Sequence, residues 1–237
     1  MDISTFRHKL EEKGIVLSDH QVAQFEQYYE TLIEWNQKMN LTGITDKKEV
    51  YLKHFYDSIT ASMYIPLDQP LRVCDVGAGA GFPSIPLKIC YPSLQVTIVD
   101  SLNKRIHFLN HLASTLQLDD VAFYHNRAEL FGQDDAFRGQ FDIVMARAVA
   151  HLSVLSELCL PLVRTNGYFI AMKGANVNEE VNQAQSALEI LGGNIKTVEH
   201  LNLPENGGER NIVIMKKKKK SPKKYPRKPG KPNKQPL

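Results

Sequence analysis

Residues 73–82 read Val-Cys-Asp-Val-Gly-Ala-Gly-Ala-Gly-Phe. A short apolar strand runs into glycines at three alternate positions, Gly77, Gly79 and Gly81, and Phe82 leads towards a predicted helix. In open α/β sheets ligands bind at the carboxyl ends of the strands. Glycines there let the backbone approach a ligand closely and take positive φ. The spacing is Gly-x-Gly-x-Gly, not the Gly-x-Gly-x-x-Gly of dinucleotide binders. Asp75 precedes the glycines, where a carboxylate can meet an ammonium group rather than a pyrophosphate. Together these point to S-adenosylmethionine (AdoMet); the plain alternative is a glycine-rich turn without a ligand.

Asp100 and Ser101 follow the next apolar run, Val-Thr-Ile-Val. A carboxylate at a strand end can accept both hydroxyls of a ribose, or it can cap the helix that follows. Arg127, Ala128 and Glu129 follow the third strand, where an acid or backbone group can lie along an adenine edge, or form a solvated loop. Arg147 ends a fourth apolar run, and a buried arginine needs an anionic or planar partner. Cofactor, RNA phosphate and a carboxylate such as Glu129 all qualify. Lys173 ends the fifth run at the same edge, facing either a ligand or solvent. His107 and His111 stand four apart on a predicted helix and could face one metal, but no third ligand is near in sequence.

Alternating elements must position these groups. Up to about residue 65 the pattern is helical. A short helix covers 3–13, a second opens at Ser18 with Gln21 as capping-box partner, and a third opens at Asp46 with Glu49 and runs to about Met63. From Leu71 short apolar strands alternate with helices, which predicts a mostly parallel sheet covered on both faces. Strands are predicted at Arg72–Val76, Gln95–Val99, Val121–Tyr124, Phe141–Ala146, Tyr168–Met172, Ile195–Leu201 and Asn211–Met215. Only the loop Leu203–Arg210 separates the last two, so the final strand is expected to be antiparallel.

The net charge of +3 over 237 residues hides a split. Residues 216–237 hold 11 of the 29 basic residues and no acidic one, leaving 18 basic and 26 acidic residues on 1–215, a net of −8. Five of the 12 prolines also fall in that last segment, whose composition predicts disorder and polyanion binding. The whole chain is 43% hydrophobic, enough for a core. No apolar run suits a membrane helix, and the charged N-terminus argues against a secretory signal. Cys74, Cys90 and Cys159 sit in separate apolar runs, as reduced core thiols of a cytoplasmic protein would.

The glycine loop is joined by further matching segments: Trp35-Asn36 with Asn40-Leu41-Thr42, His54 with Asp57-Ser58, Arg127-Ala128-Glu129, Arg147-Ala148, Lys173-Gly174, and Pro204 to Arg210. With these, residues 1–215 resemble the glucose-inhibited division protein B family, bacterial AdoMet-dependent methyltransferases of N7 of one guanine in 16S ribosomal RNA. The resemblance implies a Rossmann-like class I methyltransferase fold, with a helical segment 1–65 packed on a catalytic domain 66–215; the disordered basic tail 216–237 is the expectation from composition alone. It implies that Gly77, Phe82, Ala128, Glu129 and Arg147 contact AdoMet and that Asp100 holds its ribose; Asp75, Gly79, Gly81 and Ser101 join the cofactor set from the glycine-loop and strand-end readings above. Asn40, His54, Arg127, Arg147 and Lys173 become candidates for the RNA side. The implied partner is 16S ribosomal RNA or the small subunit; nothing in the sequence calls for an oligomer, a metal or a membrane, so a monomer is expected. Because guanine N7 has no proton to lose, no general base is assigned. The segment LPENGGER is looser than the family's pattern, and the Lys/Pro tail is outside it. An NAD-dependent oxidoreductase is disfavoured by the glycine spacing. A methyltransferase of another substrate and a non-enzymatic RNA-binding assembly factor stand as alternatives.

Overall fold

The computed structural model describes residues 1–147, 149–175 and 177–237; Ala148, of the Arg147-Ala148 pair, lies outside them. Helix α1 spans Ile3–Glu11 and α2 spans Asp19–Met39. The capping box opens α2: Gln21 N–H donates to Ser18 Oγ at 3.2 Å and Ser18 N–H to Gln21 Oε1 at 2.8 Å. Asn40 ends α2 in the left-handed conformation, with φ of 48°. The predicted third helix is composite. It starts as α3 (Lys47–Val50), capped by Asp46, which accepts from Glu49 N–H at 3.0 Å. Glu49 itself does not reach back; its carboxylate pairs with Lys53 at 2.6 Å. The helix then widens into a π turn over Tyr51–Tyr56, returns as α4 (Asp57–Ile59) and tightens into a 3₁₀ turn over Thr60–Met63.

The strands and helices then alternate: β1 (Arg72–Val76), α5 (Ser84–Cys90), β2 (Gln95–Asp100), α6 (Asn103–Thr115), β3 (Val121–His125), α7 (Ala128–Phe131), β4 (Phe141–Arg147), α8 (Leu152–Cys159) and β5 (Val163–Lys173). Helices α9 (Val177–Gln183) and α10 (Gln185–Leu191), strands β6 (Gly193–Asn202) and β7 (Glu209–Lys217), and a turn of helix α11 (Lys231–Lys234) complete the chain. Among the described residues one sheet of seven strands forms, in the order β3-β2-β1-β4-β5-β7-β6. The pairs from β3 to β5 are parallel, and β7 runs antiparallel to both β5 and β6, as the short loop before it requires. The order reverses beside β1, so the ends of β1, β2 and β4 border the crevice in which such sheets bind ligands.

Two apolar layers cover the sheet. On one face Phe6, Phe25, Tyr28, Tyr51 and Phe55 join Phe82, Ile98 and Ile106 in one buried cluster. The helical N-terminal segment is thus packed on the sheet rather than separate from it. Phe6 meets Phe25 and Tyr51 edge-on, with centroids 5.0 and 5.3 Å apart, a favoured aromatic geometry. On the other face Phe131, Leu155, Phe169, Leu188 and Val213 cluster, and Tyr225 of the tail joins them.

That last contact corrects the expectation of a disordered tail. Strand β7 runs on to Lys217, and the following residues lie against the body. Lys217 Nζ, buried, donates to Leu160 O at 2.7 Å, to Leu191 O at 2.9 Å and to Ser221 Oγ; burial, with Arg138 nearby, lowers its pKa to about 7. Arg138 donates to the carbonyls of Ser221, Pro222 and Tyr225, and Gln133 to those of Lys223 and Pro226. Prolines lack an N–H but keep the carbonyl acceptor. The segment's composition alone hides the fact that the body supplies the matching donors. Among the described residues no helix is long and apolar enough to cross a membrane.

Candidate functional site

The glycine loop leaves β1 with Gly77 N–H donating to Val99 O at 2.8 Å. Gly81, at φ of +97°, is packed from behind: a Cβ there would lie 2.8 Å from Tyr28 Oη. Tyr28 in turn donates to Ala80 O at 2.5 Å, so α2 braces the loop. Gly79, at φ of +61°, has open space where a Cβ would stand. It borders a cleft of about 540 Å³, the size of a small-molecule site. Gly77, Gly79, Phe82, Asp100, Ser101, Arg127, Ala128, Glu129 and Arg147 all line this cleft, together with Thr42, His54 and Arg105.

Lys173 lines a second cleft beside this one, and three predicted residues line neither. Asp75 is fully buried behind the loop, where its Oδ2 accepts from Ser84 N–H at 3.1 Å, and Oδ1 has no partner. Burial raises its pKa to about 7. A carboxyl enclosed in this way braces the loop from behind and does not itself line the cleft. Gly81 is a packing position, as above. Asn40 is the cap of α2 and lines neither cleft, whereas Leu41 and Thr42, which follow it, line the first. The turn is pinned by Asn36 Oδ1, which accepts from Leu41 N–H at 2.6 Å and Thr42 N–H at 2.8 Å.

Asp100 lies at the carboxyl end of β2. Its oxygens accept from Gly79 N–H at 3.2 Å, Leu102 N–H at 2.9 Å and Arg105 Nη1 at 3.1 Å. A carboxylate offers about four acceptor positions. The helix-turn role and a contact with a ribose are therefore compatible, and Arg105 fixes the carboxylate's orientation. Gly79, with room for close approach, and Asp100 beside it suit the sugar of a nucleoside.

Next to this cleft lies a second, of about 280 Å³, lined by Lys53, His54, Asp57, Lys173, Arg210 and Asn211 among others. His54 and Arg147 line both. The π turn carries His54, whose Nε2 lies 2.8 Å from Thr42 Oγ1 and whose ring stacks on Phe82 at 4.6 Å. Burial and the Arg147 charge lower its pKa to about 4, so the ring is neutral at pH 7. The Arg147 guanidinium lies 4.9 Å from the Phe82 ring centre. It pairs with Asp57 Oδ2 at 3.2 Å, not with Glu129, and Arg210 Nε meets the same oxygen at 3.1 Å. Asp57 Oδ1 is buried without a partner. Lys173 Nζ donates to Ala150 O at 2.7 Å and pairs with Glu180 at 2.8 Å.

Thr42, Asp57 and Arg210 stand in segments that carry the resemblance but have no site role assigned from sequence, and Arg105 is not singled out at all. Asp57 stands three positions after His54 on a predicted helix, a spacing that shares a face. Arg210 comes from the far end of the chain, and no local signal ties it to Asp57. His111 packs against Trp35, with centroids 5.1 Å apart. No group of three metal-ligating side chains occurs among the described residues.

A family model described as rRNA small subunit methyltransferase G matches residues 21–213. Relatives named ribosomal RNA small subunit methyltransferase G, from Bacillus thuringiensis strain Al Hakam and Bacillus cereus strain AH820, are each 65% identical over 237 residues. The match covers 100% of this chain and 99% of theirs, so the similarity includes the basic tail that the family model leaves out. Two solved structures share the fold at low identity. One is the YcgJ protein from Bacillus subtilis, with a TM-score of 0.53 and 15% identity over 70% of this chain and 100% of that one. The other is a variant 16S rRNA (adenine(1408)-N(1))-methyltransferase from Catenulisporales acidiphilia, with cosubstrate SAM, at 0.55 and 12% over 71% and 91%.

Proposed function

Because the chain belongs to the rRNA small subunit methyltransferase G family, we infer that it transfers the methyl group of AdoMet to 16S ribosomal RNA, at the family's position, N7 of guanine 527. The observation that carries this reading is the junction of two clefts at His54 and Arg147. One cleft, with its glycine wall and Asp100, suits a nucleoside cofactor. The other, ringed by Asp57, Lys173 and Arg210, suits a planar base and its phosphate.

AdoMet, when bound, supplies a methyl group activated by a sulfonium. The chain's residues have to position and shield rather than move a proton, because guanine N7 carries an in-plane lone pair and no hydrogen. His54 fits that requirement. With a pKa of about 4 it is a weak base, and as a neutral ring it places no like charge beside a cationic cofactor. Phe82, stacked on His54, forms an apolar floor at the junction. Arg147 and Lys173 are assigned guanine O6 or a phosphate, contacts that leave N7 free. Asp57, whose Oδ1 is enclosed, orients the neighbouring cations rather than the base. Its Oδ2 holds Arg147 and Arg210 in place. A-form RNA hides the N7 edge in a deep, narrow groove, so the base is taken from a loop or flipped out. The protein acts in the cytoplasm as a monomer, with naked RNA or the small subunit as partner.

Single Arg147→Ala and Lys173→Ala variants test the assignment. Each is expected to lose methyl transfer while its circular dichroism spectrum stays that of the parent. Full activity in both contradicts the substrate-side assignment.

A further inference from the structure

The tail reaches the cofactor cleft. Glu157, on α8, is 1% exposed. Its only ion pair among the described residues is with Arg227, whose Nη2 lies 2.6 Å from Oε2. Arg227 Nε and its backbone N–H both donate to Oε1 at 2.8 Å. Burying a carboxylate is costly unless it is paired and hydrogen-bonded. A body that buries Glu157 is therefore built to receive Arg227. Three residues on, Gly230 N–H donates to Glu129 Oε1 at 2.9 Å. Asn233 then lines the cleft in company with Ala128, Glu129 and Leu158. A nucleoside whose ribose is held at Asp100 directs its base towards the residues that follow β3, which is where this stretch of tail lies.

We propose that residues Arg227–Asn233 are part of the AdoMet site, with the Asn233 carboxamide hydrogen-bonded to the adenine edge and the Arg227–Glu157 pair positioning it. The proposal rests on the AdoMet reading above. A carboxamide offers one acceptor and two donors. Adenine presents an amino donor at N6 beside a ring acceptor, the complementary pattern, which is the basis of bidentate asparagine–adenine pairing. A 6-oxo purine reverses that pattern at position 6, so the contact also selects adenine. Glu129, occupied at one oxygen by Gly230, keeps the other for the ligand or solvent.

Calorimetric titration of the full chain with S-adenosylhomocysteine and with its inosine counterpart tests this. Asn233 is exposed, so Asn233→Ala leaves the core untouched. It is expected to raise the Kd for S-adenosylhomocysteine roughly three- to tenfold, the worth of one hydrogen bond. The preference over the inosine analogue should shrink by a similar factor, which a merely structural role would not cause. Arg227→Ala should weaken S-adenosylhomocysteine as well, with partial recovery in Arg227→Lys. Parent-like affinity and preference in Asn233→Ala overturn the proposal while leaving the AdoMet reading intact. Failure of the parent protein itself to bind S-adenosylhomocysteine overturns both.

Discussion

Arg147 carries the largest share of the chemistry assigned to any one side chain. It touches Asp57, lies over Phe82 and borders both clefts. Its type and its place at a strand end were legible in the sequence. Its partner was not, because Asp57 lies 90 residues away and only the packing of the N-terminal segment brings them together. Removing Arg147 also leaves Asp57 to Arg210 alone, so Arg147→Ala is expected to cost stability on the order of 1–3 kcal/mol beside its loss of activity; urea unfolding measures it. His54 adds a pH dependence. Its folded pKa lies below its unfolded value, so the unfolded chain binds more protons between about pH 6.5 and 4. The stability contribution is complete above pH 6.5 and is lost as pH falls towards 4. A His54→Gln variant is expected to show a shallower loss of Tm over that window; an unchanged slope would contradict the buried, neutral ring.

The elements place the site through their ends. β1, β2 and β4 each finish at the crevice, and the strand positions were readable from short apolar runs because a parallel sheet buries both faces. The π turn within the third helix was not readable. Its residues have helical spacing, and widening the turn is a tertiary effect that sets His54 against Phe82. The glycine loop was readable as a ligand loop, but the burial of Asp75 behind it was not. A carboxylate beside glycines carries no mark of which side of the loop it faces. Its raised pKa gives an opposite pH signature to that of His54. The folded state holds the proton more tightly, so the contribution is fully present below about pH 4 and is lost as pH rises through about 7. Asp75→Asn, which keeps an acceptor for Ser84 N–H, is expected to be relatively more stable than the parent at pH 8 than at pH 4. Differential scanning calorimetry at the two pH values decides it.

The molecule as a whole presents an acidic body and a basic end, and the structure fastens that end to the body instead of leaving it free. Composition could not reveal this, because the partners of the tail, Arg138, Gln133 and Glu157, are scattered through the body. Docking leaves Lys228, Lys231 and Lys234 exposed near the cleft that Asn233 lines. If these lysines meet RNA phosphates, replacing all three with Gln should flatten the salt dependence of RNA affinity by about 2 in slope. Filter binding across a salt series reads the change, and an identical slope would leave RNA attraction to the body. Locating the transferred methyl group decides whether the two clefts serve AdoMet and guanine N7. Incubation with labelled AdoMet and undermethylated small subunits or naked 16S ribosomal RNA, followed by borohydride and aniline cleavage, is expected to break the chain at the single guanine 527. No transfer to either RNA, or a label that resists cleavage because it sits on another atom or base, would contradict it.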